Sequence, residues 1–161
     1  MAARPRYLEL LRVLSQHQVD FIVVGGVAAI LEGAPISTLD LDVVYDRSSE
    51  NLGRLAVALE AVHARYRDPA GRRIVPNIER LASFKLSLLL TDLGPLDVLA
   101  TIGDGLAYPD LLAFSKPRDI HELAIRVLDL GKLIELKEHA NRDKDRAVLP
   151  VLRRTLELRN T

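Results

Sequence analysis

The sequence predicts a mixed α/β or α+β sandwich, with one mixed β-sheet flanked by helices and helices closing the C-terminus. Three observations carry this expectation. Segments of helical period alternate with short apolar runs along the chain. Phe84 to Leu90 and Leu96 to Leu99 are strand-like stretches separated by a turn, which reads as a hairpin. The last 30 or so residues hold two capped helical segments and no strand signal.

Taken in order, Tyr7 to Gln18 reads as a helix, because Leu8, Leu11 and Leu14 recur at three-residue spacing and Leu10 and Val13 widen the stripe. Phe21-Ile22-Val23-Val24 is a fully apolar run stopped by Gly25-Gly26, which predicts a buried strand. Val27 to Leu31 suits a helix that Gly33 would end, and Ala34 to Thr38 is a loop containing Pro35. Leu39 to Tyr45 reads as a strand whose first residues alternate apolar and acidic. Ser48 to Tyr66 reads as a helix, with Ser48 or Ser49 as N-cap and Glu50 in the first turn. Arg67 to Arg80, with Pro69, Gly71 and Pro76, reads as loop with a brief strand near Ile74.

Phe84, Leu86, Leu88 and Leu90 fall on one face of the first hairpin strand, and Asp92 to Pro95 forms the turn. Tyr108 to Phe114 suits a short helix and Leu123 to Leu128 a short strand. Asp129 is the expected N-cap of a helix to about Ala140. Asp143 is the expected cap of a last helix to about Leu158, with Pro150 as a candidate kink. Neither an internal repeat nor a low-complexity linker is visible, so residues 1–161 are expected to form a single domain.

Composition bounds the chemistry. Apolar residues make up 48% of the chain, enough for a core, and aromatics only 4%, so aliphatic side chains must fill it. Lys+Arg and Asp+Glu balance at 22 each, which gives no global attraction to nucleic acid or membrane. The absence of cysteine excludes disulfides, thiolate nucleophiles and thiolate-bound zinc. No run approaches the roughly 18 apolar residues of a spanning helix, and the basic start Met1-Ala2-Ala3-Arg4-Pro5-Arg6 lacks a following apolar segment. No signal peptide and no membrane association are therefore read, and a cytoplasmic location is expected. His17, His63, His121 and His139 lie in separate elements without ligand spacing.

Two local features carry chemistry. Asp40 and Asp42, two apart on the expected strand, would project from one face among apolar neighbours. Asp97 repeats the pattern in Leu96-Asp97-Val98-Leu99. If the two strands are neighbours, three carboxylates converge, and such a set suits hard divalent cations around a phosphoryl group. The same Asp-x-Asp fits the polar outer face of a half-exposed strand. Gly25-Gly26, between strand and helix, would let the backbone approach a ligand, with free N–H groups facing an anion. It equally fits a tight turn without a ligand. The third glycine of a dinucleotide fingerprint is missing and no Gly-Lys-Ser/Thr follows, so neither a Rossmann site nor a P-loop is indicated.

Strand, Gly25-Gly26, short helix and then Asp40-x-Asp42 after residues 27–39, with Asp97 on a later strand, resembles the signature of the polymerase-beta-type nucleotidyltransferase superfamily. Tyr108-Pro-Asp-Leu-Leu, Ile125-Arg-Val-Leu, Leu133-Ile-Glu-Leu-Lys137 and Arg142-Asp-Lys144-Asp145 resemble the small bacterial AbiEii-toxin-like members. The resemblance runs from about Val19 to Leu152 and implies the nucleotidyltransferase fold.

It implies Mg²⁺ (or Mn²⁺) held by Asp40, Asp42 and Asp97. It further implies an NTP (ATP among the candidates) gripped by Gly25, Gly26, Thr38, Lys137 and Lys144, with Asp145 in support. Relatives often carry an Arg just before the acidic motif, where this chain has Ile36-Ser37-Thr38. Lys137 also fits a solvated helix face with Glu135, Glu138, Arg142 and Lys144. The implied reaction is transfer of an NMP to an acceptor hydroxyl on tRNA, a protein or a small molecule, with a cognate antitoxin as a further implied partner and a monomer or homodimer as the assembly. The alternative is a non-catalytic nucleotide- or partner-binding member of the fold in a toxin–antitoxin-type system. A metal-dependent phosphohydrolase would need His or further acids that the spacing does not supply.

Overall fold

The computed structural model describes residues 6–160. Helix α1 (Tyr7–Gln16) turns its leucine stripe inward, with Leu10, Leu11 and Leu14 buried, and ends before Gln18, whose backbone is left-handed. Strand β1 (Phe21–Val24) is buried along its whole length and runs directly into α2 (Gly25–Leu31), two residues earlier than the helical period alone indicated. After a loop comes β2 (Leu41–Tyr45), which begins later than expected. The ladder explains the late start. Asp42 pairs with Val24, the last residue of β1, and beyond it the chain has already turned into α2, so Asp40 has no β1 partner. Asp40 therefore sits just before the strand, and Leu39 is 85% exposed.

Helix α3 (Ser49–Ala61) is capped by Ser48, whose side chain accepts the N–H of Asn51. It stops well short of Tyr66. His63 takes a left-handed backbone, and the Ala64 N–H returns to Leu59 O at 3.0 Å, a hydrogen-bonded helix ending. That ending frees Arg65–Tyr66 to form the edge strand β3. No strand forms at Ile74, whose carbonyl accepts the Tyr66 N–H at 2.8 Å. Asn77 caps an unexpected short helix, α4 (Ile78–Ser83).

The hairpin is β4 (Leu86–Thr91) and β5 (Gly94–Leu99). Ser87 and Leu89 point into the core, while Leu86 and Leu88, the face of greater apolar repeat, are exposed. Small strands β6 (Thr101–Ile102) and β7 (Leu106–Ala107) form a separate ribbon. Helix α5 (Tyr108–Leu111) follows and continues as a 3-10 turn, Leu112–Phe114.

Strand β9 (Leu123–Leu128) has the expected bounds, and its hairpin partner β8 (Ser115–Ile120) was not anticipated. Pro117 is tolerated there because β8 is the sheet edge. The connecting turn is His121-Glu122, both at positive φ, without the glycine or asparagine that advertises such turns. Helix α6 (Leu130–Ala140) starts after Asp129, whose side chain makes no cap hydrogen bond. Helix α7 (Asp143–Arg159) contains Pro150. Asp143 does not cap it; the carboxylate of Asp145 instead accepts the Arg142 N–H at 3.1 Å.

The seven-stranded sheet has the order β3-β4-β5-β2-β1-β9-β8. The central pairs β2–β5 and β1–β9 are parallel and the rest antiparallel. Burying Leu41, Val43, Leu96 and Val98 on one face of β2 and β5 turns Asp42 and Asp97 to the other. The described helices include none long and apolar enough to cross a membrane.

Candidate active site

Parallel pairing of β2 with β5 sets Asp42 directly beside Asp97. Two carboxylates in that register share one face and repel each other, and partial burial sharpens the repulsion. Burial first, then the neighbouring Asp97 and Asp40, push the Asp42 carboxyl up from 3.8 to about 7, while Lys137 works in the opposite direction. Asp42 is thus the protonated member and donates to Asp97. Burial raises Asp97 as well, offset by that hydrogen bond and by Arg67. Arg67 Nη2 donates to Asp97 Oδ1 at 2.7 Å.

The diglycine is shaped by these acids. Gly25 has φ +66, and a Cβ there would stand 2.2 Å from Asp42 Oδ2. A Cβ on Gly26 would come 3.1 Å from Thr38 Cβ. The glycines therefore allow α2 to start against the carboxylate and the 34–40 loop to fold over that start. Thr38 Oγ1 accepts the Asp40 N–H at 3.4 Å, which ties this loop to the residue that opens β2.

Lys137 reaches the same place from α6. Its Nζ lies 3.5 Å from Asp145 Oδ1, and its charge acts on Asp42. Asp145 is fully buried and is held below the usual carboxylate range, first by Arg142, whose Nε donates at 2.7 Å. Asp145 thus anchors Lys137 and starts α7 at once. Lys144 is exposed and has no hydrogen bond or ion pair among the described residues, so it is not brought to this cluster.

The structure therefore assembles Asp42, Asp97, Gly25 and Lys137, with Asp40, Thr38, Gly26 and Asp145 adjoining. Arg67 is the cation that the sequence reading missed. It sits one residue past a two-residue strand whose sequence predicts helix, so nothing in the local pattern aims it at Asp97.

The donor set suits a hard divalent cation: two facing carboxylates, both raised first by burial, with a third acid close by. Among the described residues no three His, Asp or Glu side chains already surround one point. Asp40, outside the strand, would have to close on the pair.

No protein-family model and no curated protein matches the sequence. Solved structures do match its shape. The lincomycin-bound lincosamide antibiotic adenylyltransferase LnuA aligns with a TM-score of 0.63 at 12% identity, covering 94% of this chain and 97% of that one. A candidate nucleotidyltransferase from Thermotoga maritima aligns with a TM-score of 0.59 at 18% identity, covering 92% and 93%. The antibiotic-resistance factor ANT(2'')-Ia aligns with a TM-score of 0.59 at 13% identity, covering 94% and 82%. A mixed sheet of this order, helices on its faces and two helices closing the C-terminus, together with these likenesses across nearly the full chain, show that the protein has the nucleotidyltransferase fold.

Proposed function

We propose that the chain is a metal-dependent nucleotidyltransferase that moves an NMP from an NTP to an acceptor hydroxyl and releases pyrophosphate. The observation that carries this reading is the Asp42–Asp97 register with Gly25 packed against Asp42. A protein does not gain stability by facing two half-buried carboxylates, whereas a cation-binding site needs them. Asp42 and Asp97, joined by Asp40, would hold Mg²⁺ or Mn²⁺. When bound, a divalent ion neutralises charge on the phosphates and on the departing pyrophosphate.

The chain's own groups do the rest. Asp42 gives up its proton on loading. Lys137, steadied by Asp145, takes a phosphate oxygen, and Gly25 and Gly26 let the start of α2 pack closely against Asp42 and the Thr38 loop. Thr38 holds the loop that borders it. Asp97 receives the acceptor's proton as the acceptor oxygen bonds to the α-phosphorus and the bond to the β-phosphate oxygen breaks. Lys144 is assigned at most a peripheral contact, since it stands outside the cluster.

The likeness to LnuA and ANT(2'')-Ia supports a small hydroxylated acceptor ahead of tRNA or protein. The AbiEii-like likeness keeps the macromolecular acceptors, and an antitoxin partner, within the test. Incubation with each α-phosphate-labelled NTP, Mg²⁺ or Mn²⁺, and separate small-molecule, RNA and protein fractions should give labelled product in one fraction. Label should vanish in Asp42→Ala and Asp97→Ala. Variants that label as well as wild type would show that these acids are not the catalytic site.

A further inference from the structure

Arg67 stands out because it is fixed at three points. Its backbone N–H donates to Leu88 O at 3.0 Å and its Nε to Leu89 O at 3.3 Å, both on the backbone of β4. Its Nη2 then lies 2.7 Å from Asp97 Oδ1. The side chain is 30% exposed and that of Asp97 only 16%, so the pair is partly withdrawn from water. A guanidinium tethered at Nε has little freedom to swing away, yet it occupies an oxygen of a carboxylate that faces Asp42. Three carboxylates, Asp40, Asp42 and Asp97, thus face two cations, Arg67 and Lys137, and Arg67 alone is hydrogen-bonded to the facing pair.

We propose that Arg67 is a placeholder cation. In the metal-free chain it holds Asp97 in place beside Asp42 through the Nη2–Oδ1 contact, and it competes with a divalent metal for that carboxylate, so the nucleotide-free protein binds metal weakly. The proposal rests on the reading of Asp42 and Asp97 as metal ligands. A fixed unit charge roughly 5 Å from a divalent ion, in a water-like dielectric, changes the ion's affinity by roughly tenfold. Removing that charge should therefore tighten binding. A purely structural clip predicts the reverse, because losing it would loosen β3 and Asp97 together.

The test is direct titration of Mn²⁺ into the nucleotide-free protein, read by the electron paramagnetic resonance of free Mn²⁺. The proteins are wild type, Arg67→Gln, Arg67→Met and Arg67→Lys, with Asp42→Asn and Asp97→Asn as site controls. Arg67→Gln should bind Mn²⁺ roughly tenfold tighter than wild type. Arg67→Met, which keeps the apolar stem, should do the same if the glutamine variant does not fold. Arg67→Lys, which keeps the charge, should stay near wild type. Unchanged or weaker Mn²⁺ binding in the neutral variants overturns the placeholder role while leaving the metal site standing, provided the Asp variants lose binding. Equal binding by wild type and both Asp variants overturns the metal site and the placeholder with it.

Discussion

Replacing Asp42 by Asn keeps the side chain's shape and removes one of two facing charges. The folded chain holds the Asp42 proton up to about pH 7, against 3.8 for an ordinary aspartate. Between those values the folded state binds a proton that the unfolded state has released. Stability of the metal-free protein therefore falls as pH rises from about 4 to 7, and levels off above. A difference of about 3 units corresponds to at most about 4 kcal/mol. Asp42 keeps some contact with water and shares its proton with Asp97, so about 2–4 kcal/mol is the expected range.

Asn does not titrate, and it also relieves Asp97. Urea unfolding in a chelator, at pH 4.5 and at pH 8, should show the variant about equal to wild type at the lower pH and more stable by that amount at the higher one. Comparing the two proteins cancels whatever pH dependence they share. Adding Mg²⁺ at pH 8 should stabilise wild type only and so close much of the gap. A difference between the proteins that does not change with pH, or a variant less stable at pH 8, would refute the account of Asp42 as a strained acid.

Three further substitutions have expected outcomes. Gly25→Ala should cost about 1–2 kcal/mol for the left-handed backbone alone and displace the Asp42 carboxylate, abolishing label transfer. Gly53→Ala, where a Cβ meets nothing within 4 Å inside α3, should stabilise by about 0.5–1 kcal/mol by urea unfolding. Asp145→Ala removes the buried partner of Arg142 and Lys137 and should cost about 2–4 kcal/mol by urea unfolding. Because the Asp145 carboxyl is held below its ordinary value, that contribution is present above pH ~4 and fades as pH falls through the folded value. The deficit should therefore shrink in acid.

Several features were legible in the chain alone, because they depend on short-range rules. The apolar run Phe21–Val24 needed only its glycine stop, Ser48 only its cap geometry, and the Leu86–Leu99 region only its turn. Asp-x-Asp beside a diglycine pointed to one site because order and interval are sequence properties. Tertiary structure decided the rest, wherever a residue's state depends on a distant partner. Asp40 lies off the strand because β1 ends two register positions earlier, at Val24 opposite Asp42, and the chain beyond Val24 is already α2. The 62–66 segment leaves its helix because β4 offers an unpaired edge, and that exit is what delivers Arg67 to Asp97. The hairpin turn at His121-Glu122 adopts positive φ without a turn residue, held by the ladder on either side. From the sequence by itself came the fold class, the acids and the glycines. Only the sheet's register could show that Asp42 and Asp97 face each other closely enough to share a proton, because that closeness is set by hydrogen bonds between strands more than fifty residues apart.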